Sequence, residues 1–237
     1  MEMIKYPKTP RLTKSLGVYD DNYEVVVEEK IDGANCAVSF IGDKLTLQSR
    51  GHILTGGKRE FLFKRLWPWA YERLNMLRYI LGERYVLFGE WMYAKNKMYY
   101  DNLPDYFIAF DIWDKHNNFF LNSDIWREMV AGFDVETVHL IARGSANKMN
   151  NFAQYITKTI YKSGTWKDEY EQKLLYLHEF YDESETDMSD LMEGIYIKIE
   201  DDEKVVDRYK LIRDDFEKIQ TDDAKWGQRP IFENGIR

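Results

Sequence analysis

The chain has 237 residues, 44% hydrophobic and 16% aromatic, enough for a buried core in one large domain or two small ones. Its net charge of −8 argues against broad, charge-driven coating of nucleic acid. No apolar run approaches the roughly 18 residues of a membrane helix, the first residues form no apolar leader, and the single cysteine, Cys36, suits a reducing cytosol. The histidines His52, His116, His139 and His178 are scattered without metal-ligand spacing, which argues against a zinc site.

In chain order, residues 1–19 are expected to be extended, punctuated by Pro7 and Pro10. Strands follow over 23–30, 35–41 and 44–50, the first two rich in β-branched residues. Gly33 and Asn35 suggest a turn between the first two, and Gly42-Asp43 a tight hairpin between the next two. Apolar residues at helical spacing from Arg59 to Leu81 predict helix, divided or opened by Pro68 and stopped by Gly82. Strands return over 84–93 and 105–114, then a turn at Asn117-Asn118. Helices are predicted over 123–132, 148–162 and 166–181, with a short strand at 136–142. A final strand pair occupies 193–200 and 204–213. The expectation is one α+β domain over 1–237, with antiparallel sheets flanked by helices, a helical insert at about 123–190 and a tail at 214–237 too short for a further β-barrel domain.

Lys30 stands out because it closes an apolar strand beside Asp32 and Gly33. Burying a lysine is expensive, and one use of such placement is a nucleophile whose proton is easily lost. Arg208 and Lys210 are two apart in a strand and so share a face. Two cations opposite Lys30 would form a phosphate clamp, and their field would depress the lysine pKa. Arg50 adds a cation at a strand end, while Glu90 and Glu193 are placed to meet ribose hydroxyls or a divalent cation. Individually, Glu90 also suits an ordinary solvated carboxylate, Phe110 a core residue, and Arg208 with Lys210 the wet face of an edge strand.

In their order, Glu29-Lys30-Ile31-Asp32-Gly33, Ser49-Arg50, Phe88-Gly89-Glu90, Phe107–Ile112, Glu193–Lys198 and Asp207–Lys210 resemble the collinear motifs of covalent nucleotidyltransferases. The likeness is to the ATP-dependent RNA ligase family, especially its RNA-nick-sealing branch; Asn35 and the string Arg208–Arg213 favour it over DNA ligases and capping enzymes. The resemblance implies an ATP-grasp-like ligase fold and joining of RNA 3′-hydroxyl and 5′-phosphate ends with ATP and Mg²⁺ or Mn²⁺. Lys30 would become lysyl-AMP, Glu29 would lie at the adenine with Phe110 stacked on it, and Arg50 and Glu90 would hold ribose or the RNA end. Asp32 and Asn35 would shape the phosphate pocket, Glu193 and Glu90 would support the metal, and Arg208 and Lys210 would grip phosphate.

Two departures from the family pattern are visible. Arg208 stands where this branch commonly has lysine, and no appended C-terminal domain is evident. The cationic half of the insert, with Lys148, Lys158 and Lys162, is the candidate to track RNA in its place. A monomer without membrane contact is expected. The alternatives are a DNA ligase, a GTP-using capping-type enzyme, or a non-catalytic nucleic-acid-binding relative.

Overall fold

The computed structural model describes residues 3–13, 15–17, 19–221 and 229–237. Short apolar runs produce β1 (Glu24–Lys30), β2 (Ala34–Ile41) and β3 (Lys44–Ser49), followed by helices α1 (Leu66–Glu72) and α2 (Leu74–Leu81). Next come β4 (Tyr85–Trp91), β5 (Phe107–Asp114), β6 (Phe119–Phe120), α3 (Ser123–Val130), β7 (Glu136–Thr137) and β8 (Leu140–Ser145). Helix α4 (Trp166–Leu177), the pair β9 (Gly194–Glu200) and β10 (Val205–Ile212), and α5 (Asp214–Lys218) complete the order.

The strands form two sheets. One runs β10-β9-β1-β8 and the other β3-β2-β4-β5-β6, with β7 on β5. Pairing is antiparallel except between β5 and β7. The period-two alternation sorts the larger sheet's core: Cys36, Val38 and Phe40 pack with α1, α2 and α3, while Ala37 joins Phe88, Ile108 and Phe110 on the opposite face. Val25, Val27, Ile195, Ile197 and Ile199 form a third cluster on the smaller sheet.

A buried ionic chain ties one sheet to the other. Lys198 Nζ lies 2.8 Å from Glu28 and 2.9 Å from Asp111, and Arg208 lies 3.2 Å from Asp111. All four are almost inaccessible, so each charge depends on its partners. Burial opposes the Lys198 charge, but Asp111 and Glu28 outweigh it and raise its pKa.

Two expectations need correction. β1 and β2 are not joined by a simple turn: they belong to different sheets, and Ile31–Gly33 carries the chain from one to the other. Asn35 accordingly lies inside β2. Pro68 opens a helix, one of its two expected roles, from the first turn of α1, where its missing N–H costs nothing, and the further break falls at Arg73, whose guanidinium is drawn to Asp105 and Asp134.

The insert is not a helical unit. Residues 148–162 contain only a short 3-10 turn, Phe152–Tyr155. Phe152, Tyr155 and Ile156 spread over the smaller sheet's core, and the backbone at Thr157 and Thr159 bonds to Met192 and Asp190. Tertiary packing outweighed helical spacing there. The predicted strand at 136–142 is divided, β7 joining one sheet and β8 the other. Residues 222–228 of the C-terminal tail lie outside the described residues.

Candidate active site

Lys30 is the last residue of β1, immediately before the chain changes sheets. This crossing puts its side chain on the floor of a cavity of about 440 Å³. Around it stand Asp32, Gly33, Asn35, Arg50, Glu90, Asn96, Tyr196 and Lys210. Gly33 cannot carry a side chain, because a Cβ there would approach the Met92 sulfur to 2.6 Å and the Trp91 carbonyl to 2.8 Å. Asp32 fixes the crossing by accepting bonds from Asn96 Nδ2 (2.7 Å) and the backbone N–H groups of Lys97 (2.7 Å) and Met98 (2.9 Å).

Glu193 directly precedes β9, whose first residue, Gly194, pairs with Lys30. Lys30 Nζ is thereby held 2.7 Å from Glu193 Oε1 and donates to Oε2 at 2.8 Å. The same ammonium lies 5.7 Å from the Tyr196 ring centroid. These contacts reverse the electrostatic expectation. Burial works against the Lys30 charge, but Glu193, Tyr196 and Glu90 overcome it and hold the lysine pKa above its ordinary value.

The carboxylates respond oppositely. Burial pushes Glu90 up to about 8 and Glu193 up to about 7, with Lys30 opposing the rise in each case. Lys210 is lowered by burial and then by the Lys30 charge. Lys30, Arg50 and Lys210 converge on one cavity whose lining also holds the carboxylates of Asp32 and Glu90, so cations and acids stand together where an anionic ligand and its counter-ion could be met.

Among the described residues, no group of three or more His, Cys, Asp or Glu side chains converges as a metal site. Glu90 and Glu193 nevertheless fit a hard divalent cation. Glu193 binds the Lys30 ammonium directly and the Glu90 charge acts on it as well, and phosphate oxygens could complete the coordination.

Arg208 and Lys210 share a face of β10 as expected, yet only Lys210 lines the cavity. Arg208 is drawn inward to Asp111 and Tyr6 and stacks 4.0 Å from the Phe120 centroid, so the expected two-cation clamp is not assembled. Phe110 is 8% exposed and belongs to the inter-sheet core, away from the cavity lining. Glu29 is also buried outside the lining: its Oε2 lies 3.3 Å from His139 Nδ1, and Oε1 has no hydrogen-bond partner.

The three insert lysines are not equivalent. Lys148 is exposed, and Lys158 projects outward with an ion pair to Asp190 at 2.9 Å. Lys162 is buried, donates to the carbonyls of Asp187 and Ser189, and lies 3.7 Å from the Trp166 centroid. Burial lowers its pKa to about 8, so it is not the surface cation expected.

Sequence reasoning passed over Tyr6, Thr9, Asn96 and Tyr196, which also line the cavity. Tyr196 could have been found by its position two residues before Lys198 on the strand paired with β1. Tyr6 and Thr9 carry no local signal.

A family profile described as RNA ligase matches residues 23–212, most of the chain and every strand of both sheets. No curated protein matches. Among solved structures, a Naegleria gruberi RNA ligase variant with AMP and Mn is similar at 17% identity and a TM-score of 0.53, covering 84% of this chain and 52% of that one. The same ligase with PPi gives 18% identity and a TM-score of 0.52, with coverage of 83% and 51%. An archaeal ATP-dependent RNA ligase gives 15% and 0.50, with coverage of 87% and 48%. The chain thus spans about half the length of the structures it matches, and at these identities the likeness speaks for a shared nucleotidyltransferase fold. The profile match over both sheets places the chain in the RNA ligase family.

Proposed function

We propose that the two sheets act as one nucleotidyltransferase domain and that the protein is an ATP-dependent RNA ligase, joining RNA 3′-hydroxyl and 5′-phosphate ends. The observation carrying this reading is Lys30, a buried primary amine in contact with Glu193 in a cavity it shares with Arg50 and Lys210. A binding module has no need of such an amine.

Lys30 Nζ attacks the α-phosphorus of ATP, forming a P–N bond as the α–β anhydride bond breaks and pyrophosphate leaves. Glu193, in direct contact, is positioned to take a proton from the amine as the P–N bond forms. Arg50 and Lys210 bind phosphate oxygens and stabilise charge developing at phosphorus. An oxygen of the RNA 5′-phosphate then attacks the same phosphorus, breaks the P–N bond and returns the amine. Finally the 3′-hydroxyl attacks the activated 5′-phosphorus and AMP leaves. A divalent cation, Mg²⁺ or Mn²⁺, would be held by Glu193 and Glu90 and would neutralise triphosphate charge.

The test is intact mass after incubation with Mg²⁺ and either ATP or GTP. One AMP should be gained from ATP, none from GTP, and none in Lys30→Ala. Nucleotidylation by GTP alone, or an unlabelled parent, would refute the proposal. Exposed Lys148 and Lys158 remain the proposed RNA contacts within the insert. Replacing both with alanine should weaken RNA binding and reduce its salt dependence.

A further inference from the structure

Residues 229–237 lie outside the matched region 23–212, yet they pack against the loop that holds the sheet crossing. The segment runs beside residues 92–103 and bonds to them through the backbone. The Lys95 N–H donates to the Phe232 carbonyl (2.7 Å), the Asn234 N–H to the Tyr93 carbonyl (3.1 Å) and the Gly235 N–H to the Tyr100 carbonyl (2.7 Å). To one side, Phe232 is buried against Tyr99, Tyr170 and Tyr181, with ring centroids 5.6, 5.5 and 5.3 Å away.

Asn234 is 2% exposed, and its side-chain amide joins the two ends of one loop. Nδ2 donates to the Met92 carbonyl at 2.8 Å, and Oδ1 accepts from the Tyr100 N–H at 3.0 Å. The carbonyl can only accept and the N–H only donate, so these partners fix the amide's orientation. Between those ends, Asn96, Lys97 and Met98 supply the donors that the Asp32 carboxylate accepts. The Tyr100 hydroxyl in turn accepts from the Asp32 N–H at 3.0 Å. Asp32 stands two residues beyond Lys30, so a continuous chain of direct bonds leads from Asn234 to the crossing. Arg50, just after β3, and Lys210, on β10, are placed by other elements.

We propose that Asn234 is a positioning residue for lysine adenylylation: through residues 92–100 it fixes Asp32, and with it the place of Lys30 in the cavity. The proposal rests on the ligase reading above. A bond-forming step is sensitive to the placement of the attacking atom, and a displacement of about 1 Å costs about a hundredfold in rate. Phosphate binding draws on cations carried by other strands. Loss of the Asn234 amide should therefore act on the rate constant and leave nucleotide affinity in place.

The test is single-turnover lysyl-AMP formation by the full chain at saturating ATP and Mg²⁺, followed by intact mass. The amplitude reports the fraction of chains that are folded, and the first-order rate constant reports the geometry of those chains. Asn234→Ala should lower the rate constant by about tenfold to a hundredfold, keep the amplitude, and leave the ATP concentration at half-saturation within about twofold. Phe232→Leu, which loosens the neighbouring packing and keeps both Asn234 bonds, should retain the parental rate constant. If Asn234→Ala does not fold, Gly235→Ala takes its place with the same rate loss expected, because its Cβ would lie 3.0 Å from the Asp101 carbonyl oxygen and shift the same segment. An unchanged rate constant, an equal slowing in Phe232→Leu, or a joint loss of rate and affinity overturns the proposal. Hydrogen exchange judges the link without the reaction. The Lys97 and Met98 amides, which donate to Asp32, should exchange faster in the variant while amides within β9 keep their rate; unchanged exchange at both overturns the proposal. Absence of lysyl-AMP in the parent would refute the ligase reading, and exchange would still judge Asn234.

Discussion

Replacing Glu193 with glutamine tests the electrostatics at the centre of this site. The carboxylate touches Lys30 through both oxygens, at 2.7 and 2.8 Å, and the two side chains are only 15% and 6% exposed. Removing one partner of a buried pair costs roughly 3–5 kcal/mol. Glutamine keeps one acceptor oxygen, and Glu90 still faces the ammonium, so the expected loss is nearer about 2 kcal/mol. The lysine pKa should fall at the same time, because burial lowers it and Glu193 is the leading influence that raises it. Urea unfolding at pH 7 measures the first effect, and the pH profile of lysyl-AMP formation measures the second. In the variant, any limb of that profile set by the lysine should move to lower pH, even if the maximal rate drops through loss of the proton acceptor. A stability loss below about 0.5 kcal/mol together with an unmoved profile would refute the claim that Glu193 holds Lys30 in its charged form.

Other outcomes follow from neighbouring residues. Gly194→Ala places a Cβ against the Leu211 carbonyl and 2.8 Å from Ile212 Cα; it should destabilise the protein by about 3 kcal/mol in urea unfolding and slow adenylylation by moving Lys210. Glu90 binds its proton more tightly folded than unfolded, with a pKa near 8 against an ordinary 4.5. Its contribution should therefore make stability fall as pH rises from about 4.5 to 8, and Glu90→Gln should flatten that slope in unfolding experiments across the range. Lys198→Met leaves the carboxylates of Glu28 and Asp111 without their shared ammonium, so urea unfolding should show a loss of about 3–5 kcal/mol; a change under 1 kcal/mol would count against the buried chain as an inter-sheet tie.

The sequence alone determined the strands and the order of the charged motifs, because both are local. Apolar and β-branched runs reported β1 to β5, β9 and β10. Which sheet each strand joined was not local. The Ile31–Gly33 crossing and the division of 136–145 between two sheets were settled by where apolar faces could be buried together. The site followed the same division. Lys30, Arg50, Glu90, Glu193 and Lys210 were legible as charged residues in or beside apolar strands, and Asp32 and Asn35 through the family likeness of their motif. The inward turn of Arg208, the burial of Phe110 and the wall formed by Tyr6 were not, because each depends on partners about 90 to 200 residues away in the chain. Only the tertiary structure could decide that Lys30 would meet a carboxylate before any phosphate, since the sign of a buried charge's environment is set by what folds against it.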